Sequence, residues 1–394
     1  MVKIRLIACV LAVLVCLPTL KAQVSLTEND VKANEFGLVN GKKRACLYID
    51  KSDFEVVRKA ANLFSNDVRL VTGKKIQVKN SNEKLSANSV IVGTLGRNKL
   101  IDDLVANNKL DVTSLKGRWE SYLLEVVQNP FPGVSKALVV VGSDRRGTAY
   151  GLFSISEAIG VSPWYWWADA PVAVHKNLNL CVDRVVSEEP SVKYRGIFIN
   201  DEDWGLLRWA KNTFEKERGS IGPRTYAKVC ELLLRLKANY LCPAMHEASI
   251  AFNKIPENKL VADSFAIVMG SGHCEPLLFN NASEWDKKSM GEWDYIHNKD
   301  MINKVLKQRV VENGCYENVY TLALRGLHDK AMSGSNDMKE RVKMLGEALM
   351  AQRQILTDVI GKPADEIPQA FTPYKEVLDV YSAGLDLPDE GRGR

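Results

Sequence analysis

The chain has 394 residues, 46% of them hydrophobic and 26% charged, an ordinary balance for one or two soluble globular domains. Its net charge is +5, and Lys3, Arg5 and Lys21 supply three of those charges within the first 22 residues, leaving +2 for the rest. That near-neutral remainder offers no field for nucleic acid or an anionic membrane.

Lys3 and Arg5 precede an apolar run over 6–17, followed by Pro18 and Ala22. This is the pattern of an export signal over 1–22, so the mature protein is expected to be periplasmic or extracellular. The run is shorter than the roughly 20 residues of a membrane span, and no later stretch reaches that length. A lipobox-like Leu6-Ile7-Ala8-Cys9 leaves almost no apolar region ahead of Cys9, which argues against lipidation. The six later cysteines are scattered without CxxC spacing, so neither a zinc finger nor a dense disulfide framework is indicated.

Residues 23–190 read as a mixed α/β domain. Strands are expected over 45–49, 76–78, 90–92, 122–127 and 137–141. Phe54, Val57, Ala61, Phe64 and Val68 share one side of a helix over 53–70, and Gly142-Ser143-Asp144 caps a second helix running to about 159. Gly142 follows a strand, but no GxGxxG or Walker lysine accompanies it, which argues against nucleotide binding. Trp164, Trp166 and Trp167 fall between two prolines. They read as a domain-interface plug or as a sugar-stacking platform; the first is preferred, with Trp164 or Trp166 reaching the cleft. The polar, proline-containing 185–191 marks the domain boundary.

From Tyr194 onward, short apolar strands alternate with helical segments. Strands are expected over 196–199, 240–242, 265–269, 319–324 and 369–373, and helices over 226–236, 302–311 and 338–356. The 319–324 run is continuously apolar, the mark of a strand buried on both faces. This β-α alternation predicts a parallel sheet, and at this repeat length a (β/α) barrel. Polar residues follow each strand: Asn200 to Asp203, His246, His273 with Glu275, then Arg325, His328 and Asp329, and finally Glu376. In such a barrel those positions build the active site.

Several carboxylates with arginine and histidine suit glycoside hydrolysis, in which one carboxyl protonates the leaving oxygen and another activates water or attacks. A metal hydrolase using His246, His273 and His328 is the first alternative, weakened by the lack of HxH or HExxH spacing. A non-catalytic glycan-binding module is the second.

The segments GSDRRGTAYGLFSISEAIGVSPWYWWADAPV, KYRGIFINDED, GSGHCEP, LALRGLHDKAM and PYKEV occur in that order. Together they resemble glycoside hydrolase family 115, the xylan α-1,2-glucuronidases, in its N-terminal part. The resemblance implies an N-terminal mixed α/β domain followed by an incomplete TIM-like barrel over 191–394. It implies removal of glucuronic or 4-O-methyl-glucuronic acid from xylan or glucuronoxylan oligosaccharides, with inversion and without a cofactor or metal. Carried over by motif, Glu376 and Asp329 are the catalytic carboxylates. Arg325 holds the uronate carboxylate, and His273, Asp201 and Glu202 contact substrate; His328, from its place after the fourth strand, and Trp164, from the stacking reading, are added as substrate contacts. Glu202 and Glu275 also admit a plain helix-capping role. Homo-oligomerisation is left open. Phe279 stands where the family commonly has a basic residue, which weakens a substrate contact. Family members continue into a sixth strand ending in Asp-Asp-Asn. The resemblance therefore implies a chain ending after about five of the eight strands of a closed barrel, with Gly391 to Arg394 as a junction and little activity on its own.

Overall fold

The computed structural model describes residues 24–27 and 35–387, and the chain divides into two compact units between Pro190 and Ser191. The export signal over 1–22 and the end at 391–394 lie outside the described residues. No described helix is long and apolar enough to cross a membrane.

The first unit has two sheets. Strands β1 (Val24–Thr27), β2 (Glu35–Asn40), β3 (Lys43–Arg44) and β9 (Leu178–Val182) form an antiparallel sheet in the order β1-β9-β2-β3. The second comprises β4 (Cys46–Ile49), β5 (Gln77–Asn80), β6 (Asn88–Thr94), β7 (Tyr122–Gln128), β8 (Lys136–Gly142) and β10 (Val185–Val186), in the order β10-β7-β8-β6-β4-β5. β8, β6, β4 and β5 run parallel. Ile91, Val139 and Val141 pack with Ile101 and Leu104 of the helix Lys99–Ala106. The alternate residues Val90, Val92 and Val140 are equally buried. Burial on both faces explains why these strands are continuous apolar runs.

The strands expected near 45, 76, 90, 122 and 137 are present, and Asp144 caps the helix Arg145–Ala158 by accepting from the Arg146 and Gly147 amides. The sequence reading missed β1, β2 and β9, which depend on pairings more than a hundred residues apart. The stretch 185–191, expected to mark the domain boundary, contains the division between the units, and its start is a strand: Val185–Val186 joins the edge of β7, and the Ser187 amide donates to the Tyr122 carbonyl.

In the second unit, β11 (Gly196–Phe198), β12 (Tyr240–Cys242) and β13 (Val268–Met269) form a parallel sheet. β14 (Tyr320–Leu322) and β15 (Gln369–Phe371) form a parallel pair. A parallel bridge between Met269 and Asn318 connects the third strand to the fourth. Helices Pro223–Arg235, Pro256–Ser264, Tyr295–Asn313 and Met338–Ile360 separate successive strands. Leu306, Val310, Leu345 and Leu349 pack against Tyr320 and Leu322 in one core. Gln352 closes the end of β14, accepting from the Ala323 amide at 3.0 Å and donating to its carbonyl at 2.7 Å. The strand expected over 265–269 is shorter because Pro256–Ser264 is a helix and Ala266, at φ +53°, turns the chain out of it. The helix expected over 302–311 extends back to Tyr295, capped by Asp294. Phe279 is buried and stacks on Trp293, so its site is part of the core.

Candidate active site

The loops after β11, β12, β13 and β14 meet at a cleft of about 500 Å³, whose lining includes Asp201, Asp203, His246, Glu247, His273, Glu275, His328, Asp329 and Tyr374. Four of the strand-end loops hold residues with left-handed backbone: Asp201 (φ +64°), Leu277 and Leu278 (φ +48° and +68°), His328 and Asp329 (φ +55° and +64°), and Lys375 (φ +52°). Left-handed backbone costs a non-glycine residue of order 1–3 kcal/mol and persists only where the surroundings enforce it.

Arg325 supplies much of that enforcement. It is only 2% exposed. Its Nε and Nη2 donate to the two carboxylate oxygens of Glu376 at 3.1 and 2.7 Å, and Nη1 sits against Asp329 Oδ1. Glu376 also accepts from the Met332 amide at 3.0 Å. Asp329 is held from two further sides, by His273 Nε2 at 2.7 Å and by Lys375 Nζ at 3.0 Å. Tyr374 packs edge-on to His273 and lies under the Arg325 guanidinium. One buried cation thus ties the loop after β14 to the one after β15.

Burial works to raise the Glu376 carboxyl, but the hydrogen bonds and charge of Arg325 with the Met332 amide outweigh it and hold it below the usual range. Burial lowers His273, helped by the Arg325 and Lys375 charges and opposed by Glu376. A neutral imidazole bound to a carboxylate must donate, so Nε2 of His273 carries the proton toward Asp329.

Across the cleft, Glu202 is 2% exposed and Oε1 accepts from the His246 amide at 2.7 Å and the Ser249 hydroxyl at 2.8 Å. Asp203 meets His246 Nδ1 at 2.9 Å, and Glu247 meets His328 Nδ1 at 2.7 Å. Glu275 is buried and accepts from the Gly272 amide at 2.7 Å. Burial pushes its carboxyl up to about 8, against the hydrogen bonds of Gly272 and Asn280 and with the negative charges of Glu284 and Glu202 adding to the rise.

The structure therefore gathers Asp201, His273, His328 and Asp329 along one cleft, with Glu202, Arg325 and Glu376 behind its walls. Three readings need revision. Arg325 does not offer an open fork to a uronate, because its nitrogens are closed by Glu376 and Asp329 within the protein. Glu202 and Glu275 are not simple helix caps: one pins the loop after β12, the other bonds within its own loop. Trp164, expected at the cleft, lies in the first unit and is exposed there, and its contact with substrate stays an expectation. His246 and His328 each pair with a separate carboxylate and His273 with a third, so the three-histidine set does not form. Among the described residues, His273 with Cys274 and Asp329, and His246 with Glu202 and Asp203, each bring three donors within 4.8 Å and could hold an ion. Lys375 was not singled out for the site. Its neighbour Glu376 in the same strand-end segment was the available signal.

Successive parallel strands whose C-terminal loops form a cleft rich in carboxylates and imidazoles define an α/β protein with an enzyme-like polar site. The chain belongs to glycosyl hydrolase family 115, whose sequence profile matches residues 187–391. A solved family 115 4-O-methyl-α-glucuronidase, BtGH115A, with specificity for decorated arabinogalactans, is similar at 38% identity and a TM-score of 0.80 over 90% of this chain. This chain spans 45% of that protein. A Flavobacterium johnsoniae chitobiase matches at 10% identity and a TM-score of 0.52, over 89% of this chain and 51% of its own. A Streptomyces plicatus β-hexosaminidase matches at 10% and 0.50, over 89% and 64%. These two share the fold alone. Comparison with curated proteins gives no match.

Proposed function

We propose that the second unit is the catalytic portion of an exported, inverting glycoside hydrolase that removes glucuronic acid, or its 4-O-methyl ether, from a branched glycan. In this reading β11 to β15 are five consecutive strands of a (β/α) barrel, and catalysis is by carboxyl groups. The observation that carries it is Asp329, a carboxylate fixed at the cleft by His273, Lys375 and Arg325. Three donors hold it in place at the cleft, as the base that activates water must be held. Glu376 positions Arg325. Lys375, half-exposed beside Asp329, is the cation we place against a uronate carboxylate. Xylan side chains are the substrate implied by motif. The arabinogalactan specificity of BtGH115A makes decorated arabinogalactan a second candidate.

Incubating the protein with glucuronoxylan oligosaccharides and with glucuronidated arabinogalactan, and measuring free uronic acid, tests the proposal. Uronate release that survives chelator and is lost in Asp329→Asn is expected. Binding without release would favour a glycan-binding module, and loss with chelator a metal hydrolase.

A further inference from the structure

The two clusters with three donors each differ in the charge around them. Beside His273 and Cys274, Asp329 already has two cations against it, Arg325 and Lys375. A metal ion there meets positive charge from both. Around Glu202, Asp203 and His246 the balance is reversed. Two carboxylates stand with one imidazole, and among the described residues no lysine or arginine forms a salt bridge with either acid.

Glu202 carries the argument. It is 2% exposed, and only one of its two carboxylate oxygens is satisfied. Oε1 accepts from the His246 amide and the Ser249 hydroxyl, so the carboxylate is turned toward the loop that supplies His246. Oε2 is equally buried and has no hydrogen-bond donor among the described residues. Buried carboxylate oxygens are otherwise paired or bound to metal, because desolvation without a partner is costly. One oxygen of Glu202, one of Asp203 and one ring nitrogen of His246 lie within 4.8 Å of one another. Asp203 Oδ1 and His246 Nδ1 are 2.9 Å apart. Neighbouring ligands on a zinc ion, each bound at about 2.0–2.2 Å, are about 3–3.6 Å apart, so little movement closes the set on an ion. A neutral imidazole can carry its proton on Nε2, which leaves Nδ1 to bind. The side chains of Asp203 and His246 are 41% and 31% exposed along the cleft, which gives an ion its way in.

We propose that Glu202, Asp203 and His246 bind a divalent transition-metal ion, zinc first among them, in the wall of the cleft. Two carboxylate oxygens balance its charge, and Glu202 Oε2 gains the partner it lacks. The imidazole favours zinc over calcium or magnesium, and the absence of a thiolate from the set disfavours copper(I). Glu202 and Asp203 follow β11 while His246 follows β12, so the ion clamps the ends of two neighbouring strands. Three protein ligands leave a further position for water on the cleft side. The ion takes no part in bond cleavage, which the carboxyl groups carry out as proposed above.

Calorimetric titration of untagged, chelator-stripped protein with zinc tests the site, and one equivalent bound is expected. Glu202→Gln keeps an acceptor for the His246 amide and the Ser249 hydroxyl but offers no anionic oxygen. Its zinc affinity is expected to fall by more than about 10-fold, as is that of His246→Ala. Cys274→Ser, which alters the other cluster, is expected to bind as wild type does. Cobalt(II) needs no variant: wild-type protein loaded with it should show visible bands of a bound ion without a thiolate-to-cobalt charge-transfer band. No zinc bound, a thiolate band, or wild-type affinity in Glu202→Gln overturns the assignment. All of these readouts report binding, so a failure to release uronate would overturn the glycosidase reading and leave the metal site standing.

Discussion

Both units end parallel strands in polar residues, and the two sets behave differently. After β4, β6 and β8 of the first unit come Asp53, Asn98 and Asp144. Asp53 accepts from the Phe54 and Thr94 amides, Asn98 from the Leu100 amide, and Asp144 from the Arg146, Gly147 and Glu120 amides. Each acceptor is spent on backbone. After the strands of the second unit, Asp329, His273, Lys375 and Arg325 bond side chain to side chain and front an open cleft. Burial raises Asp53 as it raises Glu275, so a raised carboxyl alone marks no site. What distinguishes the second unit is that its strand-end groups are aimed at one another and at a shared space.

The largest test of that difference is Asp329→Asn. Asparagine tolerates the left-handed backbone at 329, so the fold should survive while uronate release drops about 10²–10⁴-fold. A variant that keeps wild-type release would place the base elsewhere. Next, Arg325→Gln strips the charge between Glu376 and Asp329, leaving both carboxylates without their shared partner. Removing one member of such a buried set typically costs about 3–5 kcal/mol, readable as a lowered urea midpoint; an unchanged midpoint would show that Arg325 does not tie the loops together.

A smaller effect follows from Glu275. Its carboxyl is raised above the ordinary 4.5 to about 8, so the folded state holds the proton more tightly than the unfolded one. Its stabilising contribution is therefore complete below about pH 4.5 and lost as pH rises toward 8. Denaturation midpoints measured across that range should fall more steeply for wild type than for Glu275→Gln, and parallel curves would contradict the burial argument. The smallest belongs to the first unit. Asp144→Ala removes a helix cap and should cost about 1 kcal/mol with no change in uronate release. Loss of activity with intact folding would give the first unit's strand ends a role that their hydrogen bonding does not suggest.

Much of the fold was legible because its signals are local. Continuous apolar runs such as 137–141 and the Asp144 cap point to the same elements seen in three dimensions. β1, β2 and β9 were not legible, since short mixed runs such as VSLT become strands only through distant partners. In the site, the motif residues were legible but their roles were not. Arg325 looked like a ligand because an arginine at a strand end suits a carboxylate, and the carboxylates it meets prove to be Glu376 and Asp329 of its own chain. Glu275 admitted a plain helix-capping role because nothing in GSGHCEP shows how deeply it lies.

By itself the sequence determined the β-α order and the strand ends that carry polar residues, which follow from residue type and spacing, and its motifs resembled a glycosidase family. Only the tertiary structure decided which strand-end groups are spent on one another, which face the cleft and which carboxyl is buried on neutral donors. Those outcomes depend on side chains brought together from positions as far apart as His273 and Glu376. Charge state follows from that neighbourhood, since burial and nearby charges set it and neither is written in the order of residues.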